Sequence, residues 1–404
     1  MSEPWEKVAG GVTAPRGFLA AGVAAGIKYK GKRDVALIYS EAPALAAGVF
    51  TTNRVKAAPV LVTAARVAGG RARAVVANSG NANACTGEQG IRDALLMARR
   101  AAELLHIPEE EVLVASTGVI GRPLPMDLVL EGIGACVREL SPQGGAAAAE
   151  AIMTTDTQPK EAAVSFVLEG KKVTIGGMAK GSGMIHPRMA TMLCFLTTDA
   201  AISLPLLREA LRFAVERSFN MISVDGDTST NDMALILANG LAGNPPVEVP
   251  GPAFSLFCRA LTAVCVSLAR AIAADGEGAT RLLEVRVVRA PTEEDARLAA
   301  RAVVSSNLVK AAVYGRDANW GRIICALGYS GASFDPQRVD IYLGDLPVAR
   351  DGAALAFDEE RTSALLAGPE VRILVDLKSG DGEATAWGCD LTEDYVRINA
   401  HYRT

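Results

Sequence analysis

Two hydrophobic periodicities, one typical of strands and one typical of helices, alternate along this chain and limit the folds that it can adopt. Short runs rich in β-branched residues predict strands, and alanine- and leucine-rich stretches between them predict helices. The predicted strands include RDVALIYS (33–40), ALAAGVF (44–50), ARAVVANS (72–79), EVLVAS (111–116), the hairpin EAAVSFVLEGKKVTIGGMAKG (161–181), LLEVRVVRA (282–290), VDIYLG (339–344), VRILVDL (371–377) and EATAWGCDL (383–391). The predicted helices cover about 89–106, 126–140, 146–153, 205–219, 254–274 and 293–314. Because this order is not a regular βαβ series, we expect an α/β fold with several mixed sheets.

Composition excludes several classes of protein. The 404 residues are 50% hydrophobic and 21% charged, which allows a large core or two to three domains. The net charge of -4, without any basic block, argues against nucleic acid as a partner. Seven scattered cysteines without a CxxC pair are typical of a reduced, cytosolic protein. The beginning of the sequence lacks the apolar stretch of a signal peptide. The apolar stretch Phe254–Ala274 contains Arg259 and Arg270, so we expect a buried helix and no membrane span.

Several segments are similar to ligand-binding motifs but do not have the residue spacing that those motifs require. In GGMAKGSG (176–183) the lysine precedes the glycine it should follow in a P-loop, and no GxGxxG links a strand to a helix. The acidic loop 225–232 has Thr230 and Ile236 where a calcium loop needs Gly and Glu, so a hydrogen-bonded loop is expected. Three histidines, far apart in sequence, argue against a histidine-rich metal site and a Ser-His-Asp triad.

Two further segments each allow two interpretations. STGVIG (116–121) is either an ordinary turn after a strand or an oxyanion hole, since glycine lets an N–H approach a carbonyl and the threonine adds a hydroxyl. In ADGEGAT (274–280), Glu277 either belongs to a solvated loop after a helix or presents its carboxylate to an ammonium group. Taken alone, each segment favours the ordinary structural explanation.

Thr191 stands between a glycine-rich approach and an apolar run that predicts a buried strand. The usual explanation is a strand threonine. A threonine nucleophile needs a base, and an α-amine with a pKa near 8 would suit that role. Attack of the Thr191 hydroxyl on the carbonyl of Ala190, followed by hydrolysis, would free this amine. The sequence shows only that such chemistry is feasible.

Longer segments resemble the ornithine acetyltransferase family, the bifunctional glutamate N-acetyltransferases of arginine biosynthesis. KGSGMIHPRMATML (180–193) is similar to the self-cleavage signature of that family. Six further segments resemble segments of that family and follow the same order: NSGNANACTG, STGVIG, SVDGDTSTND, ADGEGATR, KAAVYGRDANWGRI and INAHYRT. The resemblance covers essentially the whole chain, without a departure at a functional position.

The resemblance implies an acyltransferase that cleaves itself between Ala190 and Thr191. It would move an acetyl group from N2-acetylornithine to glutamate through an acetyl-threonine intermediate at Thr191. Oxyanion stabilisation is implied at Thr117 and Gly118. Substrate contacts are implied at Thr154, Lys180, Thr191, Glu277, Asn399 and Thr404. Lys180 and the hydroxyls would hold a carboxylate, and Glu277 an ammonium group.

The resemblance also implies an architecture and an assembly. The fold would be a layered α/β/β/α sandwich, like that of self-processing aminopeptidases, with a smaller C-terminal α/β domain. We expect a catalytic region at 1–282, with room for a small inserted subdomain near 200–280, and a second domain at 283–404. The pieces 1–190 and 191–404 would stay together as a heterotetramer of two of each, in the cytoplasm. No metal or bound cofactor is implied, and acetyl-CoA stays open as a second acetyl donor.

Two other functions stay open from the sequence. One is an amidase or aminopeptidase of the same architecture, in which water takes the acyl group. The other is a non-catalytic amino-acid-binding protein, which would keep its chain intact.

Overall fold

The computed structural model describes residues 3–27, 30–186 and 192–401. Its strands are β1 (Trp5–Lys7), β2 (Phe18–Val23), β3 (Val35–Ser40), β4 (Leu45–Phe50), β5 (Ala74–Asn78), β6 (Val112–Ser116), β7 (Lys160–Leu168), β8 (Lys171–Lys180), β9 (Leu193–Thr198), β10 (Ile222–Ser223), β11 (Met233–Ala238), β12 (Leu282–Ala290), β13 (Asp340–Leu343), β14 (Leu346–Arg350), β15 (Ala353–Ala354), β16 (Glu370–Asp376) and β17 (Gly382–Cys389). Its α-helices are α1 (Ala58–Ala68), α2 (Gly87–Leu105), α3 (Met126–Glu139), α4 (Gly145–Ala151), α5 (Leu204–Glu216), α6 (Pro252–Ala274), α7 (Glu293–Ser305), α8 (Asn307–Tyr314), α9 (Trp320–Gly328), α10 (Glu359–Leu366) and α11 (Glu393–His401).

The predicted hairpin forms between β7 and β8, with Glu169 and Gly170 as its turn. Both turn residues have positive φ angles, 48° and 76°, as a tight two-residue hairpin requires. The single helix predicted over 293–314 is wrong, because it divides into α7 and α8 at Ser306. The backbone of Ser306 is extended, and its hydroxyl accepts the Val309 N–H at the start of α8.

Two sheets pack face to face at the centre of the molecule. Within the described ranges, one sheet has six strands in the order β1-β7-β8-β9-β11-β4, and the other has four in the order β2-β3-β5-β6. Side chains alternate between the two faces of each strand. In β9, Leu193 and Phe195 join the cluster between the sheets, whereas Cys194 and Leu196 join the cluster on the opposite face.

Helices cover the outer faces of both sheets. The helices α1, α2 and α3 share a buried cluster with the four-stranded sheet, and α5 and α6 share one with the six-stranded sheet. The layers therefore follow the order α/β/β/α, which confirms the predicted sandwich. The helix α6 is long and apolar enough to cross a membrane, with a mean hydropathy of 1.7. Here it packs against β7, β8 and α5, and Phe257 and Leu261 are fully buried.

A third sheet occupies the C-terminal part of the chain. Its strands follow the order β10-β17-β12-β16-β13-β14-β15, and α7 packs against β12 and β17. The short strand β10 precedes residue 282 and still pairs with β17, at Ile222 opposite Trp387. One continuous hydrophobic cluster runs from α6 into this sheet. A domain boundary near residue 282 stays a prediction.

In the six-stranded sheet, the C-terminal end of β8 lies beside the N-terminal ends of β9 and β11. Lys180, the last residue of β8, lies opposite Leu193, the first residue of β9. Leu193 in turn lies beside Met233, the first residue of β11. Residues that follow β8 or precede β9 and β11 are therefore brought to the same edge, although the chain separates them widely.

The close approach of α4 to β2 gives a first prediction. A Cβ atom added at Gly22 would lie 2.0 Å from the carbonyl oxygen of Ala147, so side chains do not fit there. We expect Gly22→Ala to lower the free energy of unfolding by about 1–3 kcal/mol or more, measured as a lower thermal midpoint. Gly328→Ala is the matched control, because open space surrounds that helical glycine. An unchanged midpoint for Gly22→Ala would contradict the packing described here.

Candidate active site

A cavity of about 120 Å³ lies where β8 ends and β9 and β11 begin. It is lined by Thr117, Gly118, Ile120, Thr154, Thr155, Lys180, Gly183, Met184, Asp225, Asp227, Ser229, Thr230, Asn231, Glu277, Tyr395 and Asn399. Every predicted site residue that the structure describes is among them. The predicted residues Ala190, Thr191 and Thr404 lie outside the described residues.

The STGVIG segment turns sharply after β6, and the loop before α2 supports the turn. The Thr117 N–H donates to the Asn78 carbonyl over 3.0 Å, and the Ser116 hydroxyl donates to the Asn78 side chain over 2.6 Å. Gly118 has a φ of 129°, and a Cβ there would lie 2.4 Å from the carbonyl carbon of Gly80. Only glycine fits this contact, so Gly118 brings its backbone to the cavity wall without a side chain.

Asn231 joins the acidic loop to both of these segments. Its side-chain amide donates to the carbonyl of Ala82 over 2.6 Å and to that of Ser116 over 2.8 Å. Asn231 is almost fully buried, so both bonds are protected from water. Asn231 was not predicted as a site residue, because an asparagine in a polar loop is typical of an ordinary turn.

A buried group of four charges fixes Lys180. The Lys160 ammonium lies 2.7 Å from Asp156 and 2.6 Å from Asp275, and Lys180 lies 3.6 Å from Asp156. Burial alone would raise the pKa of Asp156, but the charges of Lys180 and Lys160 more than offset burial and hold this pKa well below its ordinary value. Lys180 also donates to the Thr154 hydroxyl over 2.7 Å. The ammonium group of Lys180 is thereby held at the cavity.

Glu277 and Asn399 meet across the cavity although they belong to distant parts of the chain. The Asn399 amide in α11 donates to the Glu277 carboxylate over 2.8 Å. The Glu277 N–H donates to the carbonyl of Ser182 over 3.1 Å. Gly183 makes room for this carboxylate, because a Cβ at Gly183 would lie 2.4 Å from it. The sequence pattern around Glu277 left open whether it belongs to a solvated loop or presents its carboxylate to an ammonium group, and only the fold brings Asn399 to it.

Two further lining residues were not predicted as site residues. Asp225 accepts hydrogen bonds from backbone amides, yet burial raises the pKa of its carboxyl above the ordinary value. Tyr395 lies in α11. Burial makes the largest contribution to raising the pKa of its phenol, and the charges of Asp225 and Glu277 raise it further. Asp225 lay in a recognised polar loop, whereas nothing in the α11 sequence distinguishes Tyr395 from a surface tyrosine.

The cavity is lined by groups of both charges. Lys180 supplies a positive charge, and Asp225, Asp227 and Glu277 supply carboxyl groups. Such a cavity suits a small ligand that carries a carboxylate at one point and an ammonium group at another.

A larger cavity, of about 670 Å³, lies beside β17 and α7. Its charged side chains pair with one another, for example Arg217 with Glu293 and Arg286 with Glu383, each at 2.8 Å. None of the predicted site residues that the structure describes lines this cavity. The smaller cavity is therefore the candidate active site.

The buried charges give a second prediction. We expect Asp156→Ala to destabilise the protein by about 3–5 kcal/mol near neutral pH, because it leaves buried ammonium groups without their partner. The depressed pKa of Asp156 contributes stability that is present above its unfolded pKa, about 3.9, and is lost as the pH falls toward the folded pKa. The difference between wild type and variant in thermal unfolding should therefore shrink in acid.

Asp345→Ala is the control for that variant. Asp345 pairs with Arg361 over 2.9 Å, but both side chains are largely exposed. Its loss should change stability by at most about 1 kcal/mol. Equal effects of the two substitutions would contradict the importance of the buried group.

Comparisons with known proteins identify the family of this chain. The sequence profile of the ArgJ family matches residues 19–404. The arginine biosynthesis bifunctional protein ArgJ of Symbiobacterium thermophilum is 65% identical over 402 residues, which cover 99% of this chain and 100% of that protein. The protein of the same name from Caldanaerobacter subterraneus subsp. tengcongensis is 57% identical, over 98% of this chain and 99% of its own.

A solved structure agrees with this result. The crystal structure of arginine biosynthesis bifunctional protein ArgJ from Bacillus halodurans superposes with a TM-score of 0.50 at 48% sequence identity. The match covers 98% of that crystallised chain and 52% of this one. Since the family profile spans most of the sequence and the relatives match it end to end at more than half identity, this chain belongs to the ArgJ family.

Proposed function

We propose that this chain is a glutamate N-acetyltransferase, which takes the acetyl group of N2-acetylornithine and passes it to glutamate. The observation that carries the proposal is the convergence of the predicted residues from separate elements on one cavity. The cavity lies where the chain enters β9, and Thr191 precedes that strand by two residues.

The charges of the cavity match the proposed donor. N2-Acetylornithine carries a carboxylate, an ammonium group and an acetyl amide. Lys180 would hold the carboxylate, with Thr154 beside it, and Glu277 would hold the ammonium group. Asn399 donates to Glu277 and would keep its carboxylate in place. Thr404 would contribute from the end of the chain, as the family resemblance implies.

The chemistry would proceed in two half-reactions. The Thr191 amine, freed by self-cleavage, takes the hydroxyl proton, and the hydroxyl oxygen attacks the acetyl carbonyl. The Thr117 hydroxyl and the Gly118 N–H would stabilise the oxyanion. The Thr191 ammonium group would then give its proton to the departing nitrogen, and ornithine leaves as the amine. The amine of glutamate then attacks the acetyl-threonine ester, and the same groups serve in reverse.

Self-cleavage would give the pieces 1–190 and 191–404, which stay together. The Bacillus halodurans relative supports this, because its crystallised chain is matched almost completely by about half of the present chain. Extensive pairing also crosses the proposed cut: β8 pairs with β9, and β4 pairs with β11. An assembly of two of each piece follows from the family resemblance.

Two features of the proposal concern the cell. The curated relatives are named as bifunctional proteins, which supports acetyl-CoA as a second acetyl donor, to be tested against N2-acetylornithine in one assay. A cytoplasmic location is supported by the free cysteines, of which Cys85 and Cys325 are exposed.

The third prediction concerns the cut. Mass spectrometry under denaturing conditions should find pieces of 190 and 214 residues, apart from removal of the first methionine. Thr191→Ala should give one uncut, inactive chain, since it lacks the attacking oxygen. Thr191→Ser should keep some cleavage, because a hydroxyl remains. A fully active preparation that contains only the intact chain would contradict the proposal.

The fourth prediction concerns the acetyl-enzyme. Mixing the enzyme with N2-acetylornithine alone and quenching in acid should add one acetyl group to the piece that begins at Thr191. Adding glutamate before the quench should remove it. Thr117→Ala should slow both half-reactions by a factor of about 10²–10³, with substrate affinity largely kept.

Thr155→Ala is the control, since this threonine lines the same cavity outside STGVIG and should have a much smaller effect on either half-reaction. Direct transfer between the two substrates would leave the piece unacetylated and would overturn the role of Thr191. Turnover at the same rate without glutamate would indicate the amidase alternative.

A further inference from the structure

The acidic loop 225–232 holds the chain on both sides of the proposed cut. On the N-terminal side of the cut, the Asp225 carboxyl accepts the N–H groups of Met184, over 2.5 Å, and Ile185, over 2.8 Å. On the C-terminal side of the cut, the Asp232 carboxyl accepts the N–H of Met192 over 2.8 Å. One loop therefore fixes the chain at 184–185 and at 192. These contacts would hold both ends of the segment in which self-cleavage takes place.

We propose that Asp232 carries the proton during self-cleavage, delivering it to the Thr191 nitrogen as the bond to Ala190 breaks. This inference rests on the proposed cut between Ala190 and Thr191 and adds a named residue to it.

The backbone of Asp232 is held on both sides. Its carbonyl accepts the N–H of Thr51 over 3.0 Å, and the next residue, Met233, donates to the carbonyl of Met192 over 3.2 Å. The side chain is therefore positioned by the register between β9 and β11. Met192, whose N–H the Asp232 carboxyl accepts, is the residue that directly follows Thr191 in the sequence.

One carboxyl oxygen of Asp232 is still available. The side chain is fully buried, and its Oδ2 atom has no hydrogen-bond partner within the described part of the chain. An ionised oxygen in that position would be costly, because among the described residues no donor forms a hydrogen bond with it, and the Lys180 charge and the Ser229 hydroxyl offset the cost of burial only in part. A protonated carboxyl resolves this, with Oδ1 accepting from Met192 and Oδ2 carrying the proton.

The surroundings favour the protonated form. Burial raises the pKa of Asp232 well above its ordinary value, and the Met192 N–H, the Lys180 charge and the Ser229 hydroxyl offset only part of that rise. Lys180 at the end of β8 is a charged group whose field lowers this pKa, and Thr51, the residue after β4, donates its N–H to the backbone carbonyl of Asp232. The raised pKa and the Oδ2 atom, unpartnered within the described ranges, together favour a carboxyl that keeps its proton.

The proposed step balances. The Thr191 hydroxyl oxygen bonds to the carbonyl carbon of Ala190, and the carbon–nitrogen bond between the two residues breaks. Asp232 gives its proton to the leaving nitrogen and receives the proton that the hydroxyl loses, so the carboxyl ends as it began. Water then hydrolyses the ester and leaves a carboxylate on Ala190.

The experiment follows the cutting of newly made chain in a cell-free translation reaction, sampled on denaturing gels after a pH jump. Asp232→Asn keeps the shape and an oxygen for the Met192 N–H but carries no acidic proton. It should slow cleavage by a factor of about 10² or more, the usual range for a general acid. The wild-type rate should fall as the pH rises and Asp232 loses its proton, and the variant should lack that fall.

Asp199→Asn is the matched control. Asp199 is also buried with a raised pKa, but it follows the far end of β9 and accepts the Thr174 and Arg16 amides. This variant should be cut at the wild-type rate if it folds. Thermal unfolding of Asp232→Asn separates slow cleavage from failure to fold, and Asp232→Glu, which restores an acid, should recover part of the rate.

Each other outcome has a distinct meaning. Cutting of Asp232→Asn at the wild-type rate would overturn the proton role while leaving self-cleavage intact. The same holds if His186→Gln, and not Asp232→Asn, abolishes the cut, since His186 is the imidazole nearest in sequence. A wild-type chain that is never cut would instead overturn the proposed function on which this inference rests.

Discussion

The site depends on one buried set of opposite charges. Lys160 in β7 bonds Asp156 and Asp275, and Asp156 also accepts the N–H of Gly181 over 2.6 Å. These contacts tie the sheet to the segment after α6, which carries Glu277. Because charges in a dry interior must be paired, the two segments cannot separate without leaving a charge uncompensated. The same set keeps Lys180 at the cavity, so the fold and the proposed ligand contact depend on one electrostatic constraint.

Backbone geometry supplies a second constraint, on the part of the cavity wall that Gly118 and Asn231 form. Gly118 passes so close to Gly80 that a side chain is impossible, and Asn231 links both neighbouring segments through its amide. The wall is therefore rigid before any ligand arrives. Electrostatic stabilisation of a developing oxyanion is strongest when its donors need no reorganisation, so a rigid wall suits the proposed acetyl transfer.

Much of the fold follows from local patterns. The hairpin was predictable because Gly170 tolerates the positive φ that a two-residue turn requires. The alternation of strands and helices predicted an α/β fold with mixed sheets, and the family resemblance implied the layered order. Where prediction failed, the cause was equally local: the sequence 293–314 is helical throughout by periodicity, and Ser306 interrupts it with a cap. The strand β11 was missed, since the apolar run MALILA follows a polar loop and fits a buried strand or helix equally.

The sequence by itself determined the α/β class through its periodicity and the family through long motifs, and the family resemblance implied the layered architecture and the candidate residues. Only the tertiary structure decided which residues share a site. Lys180, Met192 and Asp232 meet because strand register aligns the ends of β8, β9 and β11. Asn399 reaches Glu277 because α11 returns to the sandwich, and Tyr395 arrives with it. Register and helix docking are properties of the packed chain, since each depends on contacts between residues far apart in sequence.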